Sequence, residues 1–149
     1  MVLHQHEAYE PASTQAETKR LGHSRIVHLD SLGVLHAGAT LVHMNTLTDE
    51  DADIVSKRGC SVVWCPVPHL AMGLAGKVEC RMPELLRRGV NVTLGSDSAR
   101  VSAFGDEALA AQLLAANAGE PLAPEAILEM LTINAVSYTH LTLPTKRIV

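Results

Sequence analysis

At 149 residues, with 47% hydrophobic and 19% charged side chains, the chain has a globular composition and room for one domain with a sizeable core. Aromatic residues make up 3% and the net charge is -4, which gives no base-stacking surface and no footprint for phosphate backbones, so nucleic acid is excluded as a partner. No run of about 18 apolar residues occurs and no basic segment leads into an apolar one near the amino end; the reading is a cytoplasmic protein with no membrane partner.

In chain order, Val2-Leu3-His4 reads as a strand that delivers His4, His6 and Glu7 within four residues. Nothing resembling a cap or leader stands in front of it, which predicts a fragment lacking its front. Residues 9–22 are polar and contain Pro11 and Ser13, giving a loop with a helical turn around residues 16–20. Ser24 caps a helix whose apolar face is Ile26, Val27, Leu29 and Leu32, and Gly33 ends it. The next strand, Ala39 to His43, ends in a histidine. Thr48 before Asp49, Glu50 and Asp51 marks a helix start, since acids in the first turn complement the helix dipole, and Gly59 closes that helix.

Ser61 to Cys65 is the third strand, halted by Pro66. The loop after it, from Val67 to about Lys77, holds His69 and is longer than a usual strand-to-helix link, a length that favours function. Pro83 opens a short helix carrying Leu85 and Leu86. Val90, Val92 and Leu94 form the fourth strand, which stops at Gly95 just before Asp97. Asp97 serves there either as a site carboxylate or as the cap of the next turn. Helices over residues 105–118 and 124–134 complete the pattern. Residues 136–149 resemble the in-frame translation of a sequencing adapter, so the predicted organisation is a partial domain at 1–135 and a non-native tail whose His140 is not counted as a ligand.

Strand and helix alternate with short links, which predicts consecutive βα units in a parallel sheet or barrel. The carboxyl ends of such strands are where chemistry sits. Three of the four strands end in residues able to bind a metal or move a proton: His4 with His6 and Glu7, His43, and Asp97. Neutral imidazoles with a carboxylate suit a divalent zinc or iron ion that keeps a position open for water. His23, His28 and His36 fall in helical or linking segments and read as surface or packing residues. Cys60, Cys65 and Cys80 lack a CxxC pair and read as reduced, mostly buried thiols.

LVHMN around His43, VVWCPVPHLAMG from Val62 to Gly73, MPELLRRGVNVTLGSDS from Met82 to Ser98, and LTINA from Leu131 to Ala135 resemble the second half of the amidohydrolase superfamily. The similarity is to its cytosine deaminase and chlorohydrolase-like branch, which includes aminotriazine and adenosylhomocysteine deaminases. The resemblance implies an α/β fold, about strands 5 to 8 of a (β/α)8 TIM-type barrel that hydrolyses carbon-nitrogen bonds other than peptides or removes a halide from a small heterocycle.

Carried over residue by residue, it makes His4 a metal ligand with Glu7 as proton shuttle, in an HxxE pattern. His6 with Glu10 is an alternative alignment, one residue off in spacing. It sets His43 beside the metal and makes Asp97 both a metal ligand and the general base. His69 falls where the family often has asparagine and is assigned to substrate contact. The implied cofactor is zinc or iron, and the implied partner is a small-molecule substrate, with a homo-oligomer of the full-length protein also allowed. The family's first-strand HxH pair is absent, so the isolated chain is expected to be poorly folded and inactive; the alternatives are a non-catalytic α/β binding domain or a gene remnant.

Overall fold

The computed structural model describes residues 1–6, 11–97 and 104–138. Four strands, β1 (Val2–Gln5), β2 (Thr40–His43), β3 (Ser61–Trp64) and β4 (Asn91–Leu94), form one sheet in the order β1-β2-β3-β4, with every pairing parallel. Each strand therefore lies beside its successor in sequence, the order of a barrel sector. The strands fall where the sequence places them, to within one or two residues at each end.

The connecting helices are α1 (Pro11–Leu21), α2 (Arg25–Ser31), α3 (Asp49–Arg58), α4 (Pro66–Ala71), α5 (Met82–Arg87), α6 (Phe104–Asn117), α7 (Pro124–Leu131) and α8 (Ile133–Tyr138). Three of them correct the sequence reading. The polar stretch after β1 is a three-turn helix, not a loop with one turn. Pro66, read as a stop for β3, also occupies the first turn of α4, where a missing N–H costs nothing, so the loop of His69 begins as a helix. The last helix breaks at Thr132 and resumes as α8 through Tyr138, past the expected end of the pattern at residue 135.

The caps follow their residues. Ser24 Oγ accepts from Val27 N at the start of α2. Thr48 and Asp51 form a reciprocal capping box on α3, whose end at Gly59 has a left-handed φ of 67°. Ser24 Oγ also donates to Asp51, fully buried, so one carboxylate ties the starts of α2 and α3 together.

Cα register places Leu3, Leu41, Val62 and Val92 in one row, and His4, Val42, Val63 and Thr93 in the next. Successive residues of a strand point to opposite faces. The first row joins Ile26, Val55, Trp64, Leu85, Leu114 and Met130 in a single core between sheet and helices. The second row faces away from that core, toward what is the interior of a barrel. At the β4 edge, Asn134 in α8 donates to the Val92 carbonyl at 3.0 Å, and Asn91 donates to the Asn134 carbonyl at 3.1 Å. This clamp gives the asparagine of the LTINA segment a structural duty: it satisfies an edge-strand carbonyl.

Candidate functional site

The strand ends carry unusual backbone. Among the described residues other than glycine, positive φ occurs at His6 (52°), His43 (76°), Met44 (53°) and Asp97 (53°), each at or just beyond the carboxyl end of β1, β2 or β4. Left-handed conformations cost non-glycine residues on the order of 1–3 kcal/mol each and cluster at functional sites.

At His43 the consequence is direct. Regular alternation would send its side chain to the core face with Leu41, and its register partner is Gln5. The left-handed turn breaks the alternation, and the ring meets His4 instead: His43 Nε2 lies 3.2 Å from His4 Nδ1, with ring centroids 5.0 Å apart in an edge-to-face arrangement. His43 is buried and His4 is exposed.

The exits of β1 and β2 are stitched together. Met44 N donates to the Gln5 carbonyl at 3.0 Å and Asn45 N to the His6 carbonyl at 3.2 Å. His6 Nδ1 lies 3.1 Å from Thr46 Oγ1, which lies 3.1 Å from Thr14 Oγ1. His69, buried in α4, places Nδ1 3.3 Å from Asn45 Oδ1. A cavity of about 400 Å³ is walled by His4, Gln5, His6, Ser13, Thr14, Glu17 and Arg25. A second, of about 520 Å³, shares Thr14 with it and is lined by Asn45, Thr46 and Thr48 with Lys77 to Glu79.

Of the residues singled out in the sequence, the structure thus brings His4 and His43 into contact, with His6 beside them. Asp97 stands at the end of β4, exposed and three strands removed from β1, roughly 14 Å away at the usual strand spacing. His69 contacts Asn45, one turn of chain beyond His43. Glu7 and Glu10 lie outside the described residues. Sequence reasoning missed Asn45 and Thr46; the available signal was a pair of polar residues directly after a strand, with no glycine to make the turn.

Among the described residues, Gln5 Oε1, His6 Nε2, His69 Nε2 and Thr93 Oγ1 are buried without a hydrogen-bond partner. All four belong to strand ends or to the segments leaving them, where orphaned polar atoms mark room for a ligand or ion. The donor types also suit zinc. Among the described residues no three His, Cys, Asp or Glu side chains converge. Cys60, Cys65 and Cys80 form no disulfide among the described residues, and burial pushes the Cys80 thiol up to about 11, leaving it protonated at neutral pH.

Burial lowers the pKa of both His6 and His69 below the usual 6.5. Both are then held neutral in the folded chain, while the unfolded chain protonates them first as pH falls, so the unfolded state binds more protons below 6.5. The stability they contribute is complete above that value and is lost as pH drops through it toward the lower folded pKa. Thermal unfolding followed from about pH 7 to pH 5 should therefore show a falling midpoint, and His69→Asn should flatten that fall. An unchanged slope in the variant would remove His69 from the account.

Residues 1–143 match the amidohydrolase family. The 5'-deoxyadenosine deaminase of Methanopyrus kandleri is 34% identical over 134 residues, an alignment that covers 83% of this chain and 30% of that enzyme. The crystal structure of an adenosine deaminase from Xanthomonas campestris with bound zinc matches 92% of this chain and 31% of its own, with a TM-score of 0.75 at 26% identity. Atrazine chlorohydrolase from Arthrobacter aurescens, complexed with zinc, shares the fold with a TM-score of 0.71 at 20% identity, over 92% of this chain and 31% of its own. The chain spans 22% to 30% of the length of the first three curated relatives. Four parallel βα units in sequential order are a sector of the barrel these metal-dependent enzymes share. With the histidines at its strand ends and the match over nearly its whole length, the chain belongs to the amidohydrolase family.

Proposed function

We propose that the chain is the sector of an amidohydrolase barrel that carries strands 5 to 8, within a zinc-dependent enzyme that hydrolyses a carbon-nitrogen bond on a small aminated heterocycle. Deamination of an adenine nucleoside is the reading that the relatives favour. The observation that carries it is the contact between His4 and His43 at adjacent strand ends, held by left-handed backbone at His43 and Met44. In this reading residues 136–149 are a non-native tail and take no part.

When bound, zinc supplies acidity to a water molecule, bringing its pKa toward neutrality. His4 and Asp97 hold the ion, with His6 as the alternative to His4. Asp97 takes the proton of the attacking water at its carboxylate. His43 donates a hydrogen bond that orients the water against the electron-poor ring carbon. Glu7 delivers a proton to the departing amine, so that a C–O bond forms, the C–N bond breaks and ammonia leaves. Halide displacement from a triazine follows the same steps with chloride as the leaving group.

Asp97 and His4 sit on opposite edges of the sheet, so a closed barrel is needed to bring them onto one ion. The 149-residue chain alone is accordingly expected to bind less than one zinc per chain and to release no ammonia from 5'-deoxyadenosine. The test reads the source DNA across both ends of the frame, then assays the whole encoded protein with zinc and 5'-deoxyadenosine. Ammonia release by the whole protein, and none by the 149-residue chain, is the expected result. A whole protein that folds, holds zinc and turns over neither an aminated purine nor a chlorotriazine overturns the reading in favour of a binding domain.

A further inference from the structure

We infer that His69 is a positioning residue that acts through Asn45 to hold the left-handed bend at His43 and Met44, and so keeps the His43 ring turned onto His4. The inference rests on the reading of His43 as a site residue. Two consecutive non-glycine residues at φ values of 76° and 53° persist only where their surroundings over-determine them. The strand neighbours fix one side of this bend, through Met44 N to the Gln5 carbonyl and Asn45 N to the His6 carbonyl. Those bonds hold the backbone to β1 but leave the outgoing chain free to hinge about them.

The second anchor comes from the next βα unit. Asn45 is 7% exposed and His69 is 3% exposed, and His69 Nδ1 lies 3.3 Å from Asn45 Oδ1. A buried polar pair is costly unless its members satisfy each other. An amide oxygen carries no hydrogen, so the bond requires His69 to donate from Nδ1, which selects one tautomer. Asn45 directly follows the bend, and α4 directly follows β3, so this bond ties the exit of β2 to the exit of β3. Without it, no other bond of the Asn45 side chain among the described residues resists relaxation of His43 and Met44 to ordinary φ, which would return the His43 ring toward the Leu41 face.

Histidine-ring nitrogen correlation spectra of the 149-residue chain read the tautomer of each imidazole and test the inference without reference to turnover. In the unaltered chain His69 should be a single Nδ1–H tautomer, and His43 and His4 should each show one form, since their bond needs one N–H and one lone pair. His69→Leu and Asn45→Ala should each collapse the His43 and His4 signals to tautomer-averaged positions. Combining the two should add nothing further, because each removes the same bond. His69→Asn, whose amide nitrogen replaces Nδ1 as donor, should restore the single-form signals. If His43 and His4 keep their signatures in Asn45→Ala, or if His69→Asn fails to restore them in a chain that unfolds cooperatively, the positioning role is wrong. Full turnover of the whole enzyme carrying a variant that has lost these signatures would instead count against the catalytic reading of His43.

Discussion

In the zinc-loaded whole enzyme, Asp97→Asn is expected to lower kcat/KM for 5'-deoxyadenosine by about a thousandfold, in the middle of the range for removal of a general base. The choice of asparagine separates charge from backbone. Asp97 has a φ of 53° and an exposed side chain, and belongs to no part of the core. Asparagine tolerates the left-handed region nearly as well as aspartate, whereas alanine there would add a strain of its own. The variant should thus unfold within about 0.5 kcal/mol of the parent, as surface changes do. On the proposed roles it loses an anionic ligand and a proton acceptor, so zinc occupancy and rate should fall together. Measured kcat/KM and metal content decide the matter: full occupancy with a rate within tenfold of the parent would reduce Asp97 to a turn residue, the other role its position after Gly95 allows.

That ambiguity at Asp97 illustrates how far the residues alone carry. β3 and β4 were legible because their β-branched runs are short and bounded by glycine or proline, β1 and β2 because a short apolar run ends in histidine, and the caps at Ser24, Thr48 and Gly59 because each makes a local hydrogen bond that its residue type favours. His43 was legible as a strand-end residue, yet its turn onto His4 was not, since no local pattern encodes positive φ in a histidine; the bonds that impose it come from Gln5, His6 and the next βα unit. Alternation would have sent that ring into the core. Helix α4 escaped notice because Pro66 both ends a strand and begins a helix, and α1 because its mostly polar sequence lacks a clear apolar stripe. His69 stood out in sequence by the length of its loop, but its partner Asn45 lies 24 residues earlier, beyond the reach of any spacing argument.

Trp64→Ala is expected to remove about 3–5 kcal/mol of stability from the 149-residue chain, the usual result of truncating a fully buried aromatic. Trp64 is the sole tryptophan, 1% exposed, and packs with Val62 and Leu85 on the helix face of the sheet. Whole domains are stable by only about 5–15 kcal/mol. Among the described residues no further strand pairs with β1 or β4, Val2 is 63% exposed on β1 and Leu109 and Leu113 are uncovered on α6, which puts it toward the low end. Urea unfolding followed by far-ultraviolet circular dichroism should show a transition only at low urea in the parent, as a marginally folded fragment gives, and most of it lost in Trp64→Ala, while Leu109→Ala shifts the midpoint little. Equal midpoints for Trp64→Ala and the parent would mean that β3 is not packed against the helices as described. The consequence reaches the site, because β3 also sets the height of β4: Gly95 N donates to the Trp64 carbonyl at 2.8 Å, and a Cβ on Gly95 would stand 2.6 Å from Val63 Cγ1. Loosening Trp64 therefore loosens the strand end that presents Asp97, so the core at β3 and the carboxylate at the end of β4 fail together.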